Sequence, residues 1–288
     1  VSGSSATDNY TSLISALSSV EPVTILSIFF LTLARLVPIM VLAPFLGGPK
    51  TVPMAIRMMF CVALVAIFLP MNLLLVRQEI PYSLLFIGLC LKELLIGFVL
   101  GMFAAAPFFI AQMAGSLIDH QRGSASLQVN DPTTQTQTGP VGILYNYLLI
   151  ALFFSMSGPF VFFEGVSSSY QLFPLNGSIN PAFFSLQVPF WKNMVGLHQY
   201  MMMMCIQLAA PALIGILLTD MFLGIANRLA PQVQIVFLGI SLKSWVGIAL
   251  LAAAWGLIVQ TMGKEAMNWM KAMGQLIQQT AGYSIPAP

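Results

Sequence analysis

Charge is scarce in this chain of 288 residues: 11 Lys and Arg with 9 Asp and Glu make up 7% of it. An ordinary soluble domain carries about 25% charged residues, and charge is what keeps a folded surface in water. With 58% hydrophobic residues, an ordinary water-soluble globule is excluded. Disorder is excluded as well, since it requires low hydrophobicity and high net charge. A net charge of +2 leaves no basic footprint for nucleic acid. Histidine is scarcer still, at two residues, His120 and His198. The three cysteines, Cys61, Cys90 and Cys205, lie in separate apolar stretches with no C-x-x-C pairing. That is too little for a His-rich or thiolate metal site, and the thiols read as small buried hydrophobes. No P-loop, H-E-x-x-H or G-x-S-x-G motif occurs, so no catalytic residue, metal or cofactor is expected. Gly123-Ser124-Ala125-Ser126 with His198 has the outline of an intramembrane serine nucleophile and base, a combination that an apolar chain supplies by chance.

What the chain does contain is long runs without charge. There are 19 such residues between Arg57 and Arg77, 25 between Glu93 and Asp119, 27 between Lys192 and Asp220 and 20 between Lys243 and Lys264. Each run is long enough for a helix across a hydrocarbon core of about 30 Å. Strand alternation of the barrel type is missing. The chain therefore reads as an all-α, polytopic membrane-type protein with six main apolar segments, at 23–47, 54–76, 82–118, 141–163, 194–226 and 232–259. The third and fifth are too long for one simple span, and Pro107 and Pro211 are expected to kink or break them into bent hairpins.

Around this helical domain, 23–259, lie a polar segment at 1–22 and an amphipathic helix with a tail at 260–288. In the latter, Met262, Ala266, Trp269, Met270, Met273 and Ile277 share one face, suited to a membrane interface or a partner. The first 22 residues are rich in Ser and Thr without a basic start, so no secretory signal is expected there. The absent initiator Met suggests a processed or trimmed start. Polar connections are expected at 123–140 and 164–193, and long connections of this kind are often functional. The Lys and Arg distribution leans slightly to an outside N-terminus.

Ionisable groups within apolar runs are costly and are usually paired or water-facing. Here they are Arg35, Lys92, Glu93, Asp220 and Lys243, with Asp119, Arg122 and Arg228 at the edges. Arg35 is a candidate partner of either Glu93 or Asp220. A structural pairing that fixes helix register or subunit contacts and a polar conduit both remain open. Gly97 and Gly101 form a G-x-x-x-G row within reach of Glu93, suited to close helix packing.

Three blocks, taken together, resemble one family. They are Ala34-Arg35-Leu36-Val37-Pro38 through Ala43-Pro44-Phe45-Leu46-Gly47 to Val52-Pro53-Met54-Ala55-Ile56-Arg57; Lys92-Glu93-Leu94-Leu95-Ile96-Gly97 with Leu100-Gly101 and Ala114-Gly115-Ser116-Leu117-Ile118-Asp119-His120-Gln121-Arg122-Gly123; and Leu218-Thr219-Asp220-Met221-Phe222-Leu223-Gly224 with Asn227-Arg228-Leu229-Ala230-Pro231-Gln232 and Leu242-Lys243. In order and spacing they resemble the FliR/SctT family, the export-gate subunit of type III secretion systems. Asp119 to Gly123, followed by Asn130-Asp131-Pro132, is more similar to the injectisome (SctT) branch, a virulence apparatus, than to flagellar FliR.

The resemblance implies a hetero-oligomeric gate in the bacterial inner membrane, within the secretion-system base. It implies FliP/SctR-type and FliQ/SctS-type subunits and an FlhB/SctU-type switch protein as partners, with unfolded secreted proteins in transit. It also implies a loop that plugs the closed pore, matched here by Gly123, Ser124, Ala125, Ser126, Leu127, Gln128, Val129, Asn130 and Asp131. In the same picture Gly97, Gly101 and Gly115 pack helices. The buried charges Arg35, Lys92, Glu93, Asp119, Arg122, Asp220, Arg228 and Lys243 hold the assembly. A stand-alone secondary transporter or ion channel, with the internal charges as its coupling site, is the alternative.

Overall fold

Eight helices account for most of the residues that the computed structural model describes, which are 21–47, 52–76, 80, 82–123, 139–177, 189–229 and 235–281. Helix α1 is Pro22–Leu42, α2 Met54–Leu75, α3 Leu84–Gln121, α4 Pro140–Ser155, α5 Gly158–Leu172, α6 Pro189–Leu229, α7 Ile235–Ala253 and α8 Trp255–Ala281. Prolines set several ends. Pro22 and Pro140 occupy first-turn positions, where a fixed φ suits the helix and no N–H is missed. Ala43 leaves α1 in an extended conformation just ahead of Pro44, as the proline ring demands of its predecessor.

The long segments do not break at their prolines. Pro107 sits inside the 38-residue α3 and Pro211 inside the 41-residue α6. A proline removes one backbone hydrogen bond. In apolar surroundings, ending the helix would expose several more unsatisfied groups. At 1.5 Å per residue, α3 is about 57 Å long and exceeds a hydrocarbon core of about 30 Å.

The breaks fall elsewhere. Ser157, at φ 60, separates α4 from α5, so the apolar segment expected at 141–163 is two helices. Ala254 separates α7 from α8, with a 64° bend between Gly239–Ala253 and Trp255–Ala272, so the segment expected at 232–259 is likewise divided. Four helices among the described residues are long and apolar enough to cross a membrane, or up to six spans if each bent pair counts as one.

Two polar stretches read differently in three dimensions. The connection expected at 164–193 is helical to Leu172 and again from Pro189. Its serines bond within their own turn, Ser168 Oγ to the Glu164 carbonyl and Ser169 Oγ to that of Val166, which lets polar residues continue a helix. The amphipathic face expected at 262–277 belongs to α8, and Met262, Ala266, Trp269 and Met270 are buried within the chain itself. Lys264 and Lys271 are exposed.

The chain divides into two compact units, one of residues 1–105, 160–193 and 271–288, the other of 106–159 and 194–270. In the first, Ile28, Leu31 and Leu36 of α1, Cys61 and Val65 of α2, and Phe162, Val166 and Tyr170 of α5 are buried. Phe45 meets Phe162 edge-on at 5.2 Å, and Asn72 of α2 donates to Thr32 of α1. Gly97 and Gly101 of α3 lie against the α1 backbone at Arg35 and at Pro38–Ile39.

In the second unit the buried side chains include Phe108, Ala111, Ala114 and Ile118 of α3, Tyr145 and Phe153 of α4, and Ala209 and Ile216 of α6. Gly115 packs directly on Gly142 of α4. Both units leave large apolar side chains outside, among them Met59, Ile67, Leu84, Met221 and Leu229. Such surface is far beyond what a water-exposed monomer sustains.

A Cβ at position 97 would collide with the Arg35 backbone, whereas one at 88 would meet nothing within 4 Å. Gly97→Ala is therefore expected to destabilise the protein by about 1–3 kcal/mol, and Gly88→Ala to stabilise it by up to about 1 kcal/mol through helix propensity. Thermal unfolding in detergent measures both. Equal melting of the two variants would contradict the α1–α3 packing.

Candidate functional site

The close approach at Gly97 brings a carboxylate to a guanidinium. Glu93, one turn earlier on α3, and Arg35 of α1 are both fully buried, and Arg35 Nε donates to Glu93 Oε2 at 2.5 Å. The other guanidinium donors are also used. Nη1 reaches Ser169 Oγ at 3.1 Å and Nη2 the Phe173 carbonyl at 2.8 Å. The Arg35 guanidinium carbon stands 4.1 Å over the Tyr170 ring, a cation–π contact that desolvation strengthens.

Lys92 completes the cluster. Its ammonium pairs with Glu93 Oε1 at 2.9 Å. It also donates to the carbonyls of Pro174, Leu175 and Gly177 at 2.8, 3.2 and 2.9 Å. Two cations and one carboxylate leave a surplus positive charge, which the backbone carbonyls just past the end of α5 meet. That is the helix end whose dipole favours cations.

The second unit repeats the logic with the sign reversed. Asp119, near the end of α3, is 3% exposed. Its Oδ2 accepts the backbone N–H groups of Val141 at 2.8 Å and Gly142 at 3.3 Å, the open N-terminus of α4, where a negative charge is favoured. Arg122 lies 3.4 Å from Asp119 Oδ1 and donates to Ser244 Oγ of α7 at 3.1 Å. Asp220 of α6 pairs with Lys243 of α7, both part-exposed, beside a cleft of about 300 Å³ that also includes Asn227, Gly224 and Gly239.

The anticipated charges therefore separate into Arg35–Glu93–Lys92, Asp119–Arg122 and Asp220–Lys243. Arg35 takes Glu93 and not Asp220. Arg228 is exposed near the end of α6. Gly123 ends α3 at φ 81, a conformation that suits glycine. Ser124 to Asp131 lie outside the described residues, as does the side chain of His198.

Several participants escaped sequence reasoning. Arg57 is buried in α2 and donates to the Met40 carbonyl in the last turn of α1. It does not stand free to orient the chain. Tyr170, Ser169 and Ser244 carry no distinguishing signal in sequence, and carbonyls carry none at all. Tyr200 donates to the Glu265 carboxylate and stacks on Trp269, with ring centroids 5.6 Å apart. Among the described residues no group of three or more His, Cys, Asp or Glu is placed to hold a metal. Among the described residues the charged side chains join helices electrostatically.

The model of the family described as bacterial export proteins, family 1, matches residues 26–269. The Yop proteins translocation protein T of Yersinia pestis is 31% identical over 160 residues, 56% of this chain and 60% of its own length. The secretion system apparatus protein SsaT of Salmonella typhimurium is 32% identical over 158 residues, 55% and 59% of the two chains. The flagellar biosynthetic protein FliR of Escherichia coli is 27% identical over 237 residues, 81% and 86%. The matched part thus spans about 60% of the length of the Yersinia and SsaT relatives.

Glu93 leaves two buried cations without their carboxylate when it is neutralised. Glu93→Gln is expected to cost about 3–5 kcal/mol, as breaking a buried pair does. Arg35→Met combined with Glu93→Leu is expected to cost less than the two single changes added. Denaturant unfolding in detergent gives all the values, and strict additivity would show that the two side chains do not act as a pair.

Proposed function

This chain belongs to the bacterial export proteins, family 1, and from that premise we propose that it is a membrane-embedded core subunit of a type III protein-export gate. The observation that carries the reading is the family match over residues 26–269. Relatives named for translocation, for a secretion apparatus and for flagellar biosynthesis point the same way. The charges within its apolar helices are largely neutralised inside the fold while its apolar faces stay outside. A subunit that must be covered by lipid and by neighbouring helices has this construction.

In this reading two smaller hydrophobic subunits, of the FliP/SctR and FliQ/SctS types, cover part of that surface. An FlhB/SctU-type switch protein joins them, and unfolded secreted proteins are the cargo. The assembly sits in the bacterial inner membrane within the secretion-system base. Asp119-His120-Gln121-Arg122-Gly123 favours the injectisome branch. The buried charges secure helix register and assembly and take part in no catalysis. The loop at 123–131 obstructs the closed channel.

Two measurements decide the matter. Affinity purification from the native membrane is expected to recover two small hydrophobic proteins with this chain. Recovery alone or as a homo-oligomer would instead favour a stand-alone transporter or channel. In the assembled gate, deletion of residues 123–131 is expected to raise leakage of small ions; unchanged conductance in a correctly assembled gate would overturn the loop assignment.

A further inference from the structure

We propose that Glu265 and Tyr200 form a receptor for a lysine ammonium supplied by a neighbouring protein chain of the assembly. The inference rests on the reading of this chain as a subunit packed among other helices, and it names one contact through which the subunit is held.

Helix spacing builds the site. Tyr200, Met204 and Leu208 follow at four-residue steps on α6, and Met262, Glu265 and Trp269 at three- and four-residue steps on α8, so each set shares a face. Together they border a small recess of about 20 Å³. A space of that size holds one water-sized group. The walls are apolar: Met204, Leu208 and Met262 are buried, and Trp269 stacks on the Tyr200 ring. The side-chain oxygens at the recess are those of Tyr200 and Glu265.

Hydrogen-bond capacity decides what the recess accepts. Tyr200 commits its one proton to Glu265 Oε2. Its oxygen then has only lone pairs to offer, as does an ionised carboxylate. Both groups therefore need a donor. The charge is unbalanced too. Glu93, Asp119 and Asp220 each have a cation beside them, whereas Glu265, among the described residues, has the neutral phenol. Lys264, its neighbour in sequence, is exposed and belongs to none of those pairs.

A carboxylate covered by neighbouring helices requires a cation, and a lysine ammonium is the one that fits. It is compact and has three donors, and its methylene stem suits methionine and aromatic walls. The arginine guanidinium is a broad planar fork, too wide for a water-sized recess. A water molecule fills the volume but leaves the negative charge in place.

The test uses the complex isolated from the native membrane, with a carbodiimide as probe. This reagent activates a carboxylate, which then forms an amide with an amine in contact, and the reagent leaves as its urea. Mass spectrometry is expected to find Glu265 joined to a lysine of another protein. Absence of that product, or a product with Lys264 or an ethanolamine lipid alone, would overturn the proposal. Glu265→Gln keeps an acceptor for Tyr200 and removes the charge. It is expected to lower recovery of the partner subunits about tenfold, as loss of a charge-assisted hydrogen bond does, with thermal melting of the isolated chain unchanged. Tyr200→Phe should lower recovery by less. Unchanged recovery with Glu265→Gln, or melting that falls in step with it, would show that no partner lysine is bound there. If the wild-type chain is recovered with no other protein, the gate reading fails and this inference with it. If partners are recovered and only the Glu265 outcomes fail, the gate reading stands alone.

Discussion

A charge inside an apolar helical protein has to be neutralised where it stands, because neither lipid nor a packed neighbour supplies the hydration it gave up. Glu93 is where this constraint concentrates. Its carboxylate lies between Arg35 and Lys92, and the two cations in turn organise everything within reach. Gly97 is required so that α3 can come near enough to α1. Ser169 and Tyr170 put α5 beside the guanidinium, and residues 173–177 turn their carbonyls to Arg35 and Lys92. Burial of Leu175 in the same short segment adds an apolar anchor to these polar contacts.

Helix ends do much of the neutralising in both units. Cations meet carbonyls just past the C-terminus of α5 and in the last turn of α1, where Arg57 reaches Met40. An anion meets the first free N–H groups of α4. The signs agree with the helix dipole in each case. Orphan backbone groups and scarce charges therefore satisfy one another, which is economical in a chain with 7% charged residues. It also leaves the described outer faces of α2 and α3 mostly apolar.

Much of this was legible beforehand. The apolar runs located most of the helices. G-x-x-x-G spacing at Gly97 and Gly101 pointed to a close helix contact, which α1 provides. The helix breaks were not legible. Pro107 and Pro211 carry the strongest local signal for a break, yet the chain breaks at Ser157 and Ala254, because the surrounding packing decides whether a lost hydrogen bond is tolerated. The serines of 167–169 resembled a loop because their hydroxyls are polar, and the helix accepts them because Ser168 and Ser169 donate to its own carbonyls and Ser167 to Met71 Sδ of α2. The face of α8 signalled only that something covers it, and that cover is the chain itself.

The division is one of range. Composition, charge spacing and small-residue rows depend on neighbours in sequence. By themselves they determined the helical class and the membrane-type character, while the family was legible only in the three motif blocks. Which charge meets which was decided only in three dimensions. Arg35 and Glu93 stand 58 positions apart, Lys92 and Gly177 85 apart, and Arg122 and Ser244 122 apart. Such contacts depend on which helix faces lie together, and on backbone carbonyls and N–H groups that every residue possesses and no sequence pattern marks.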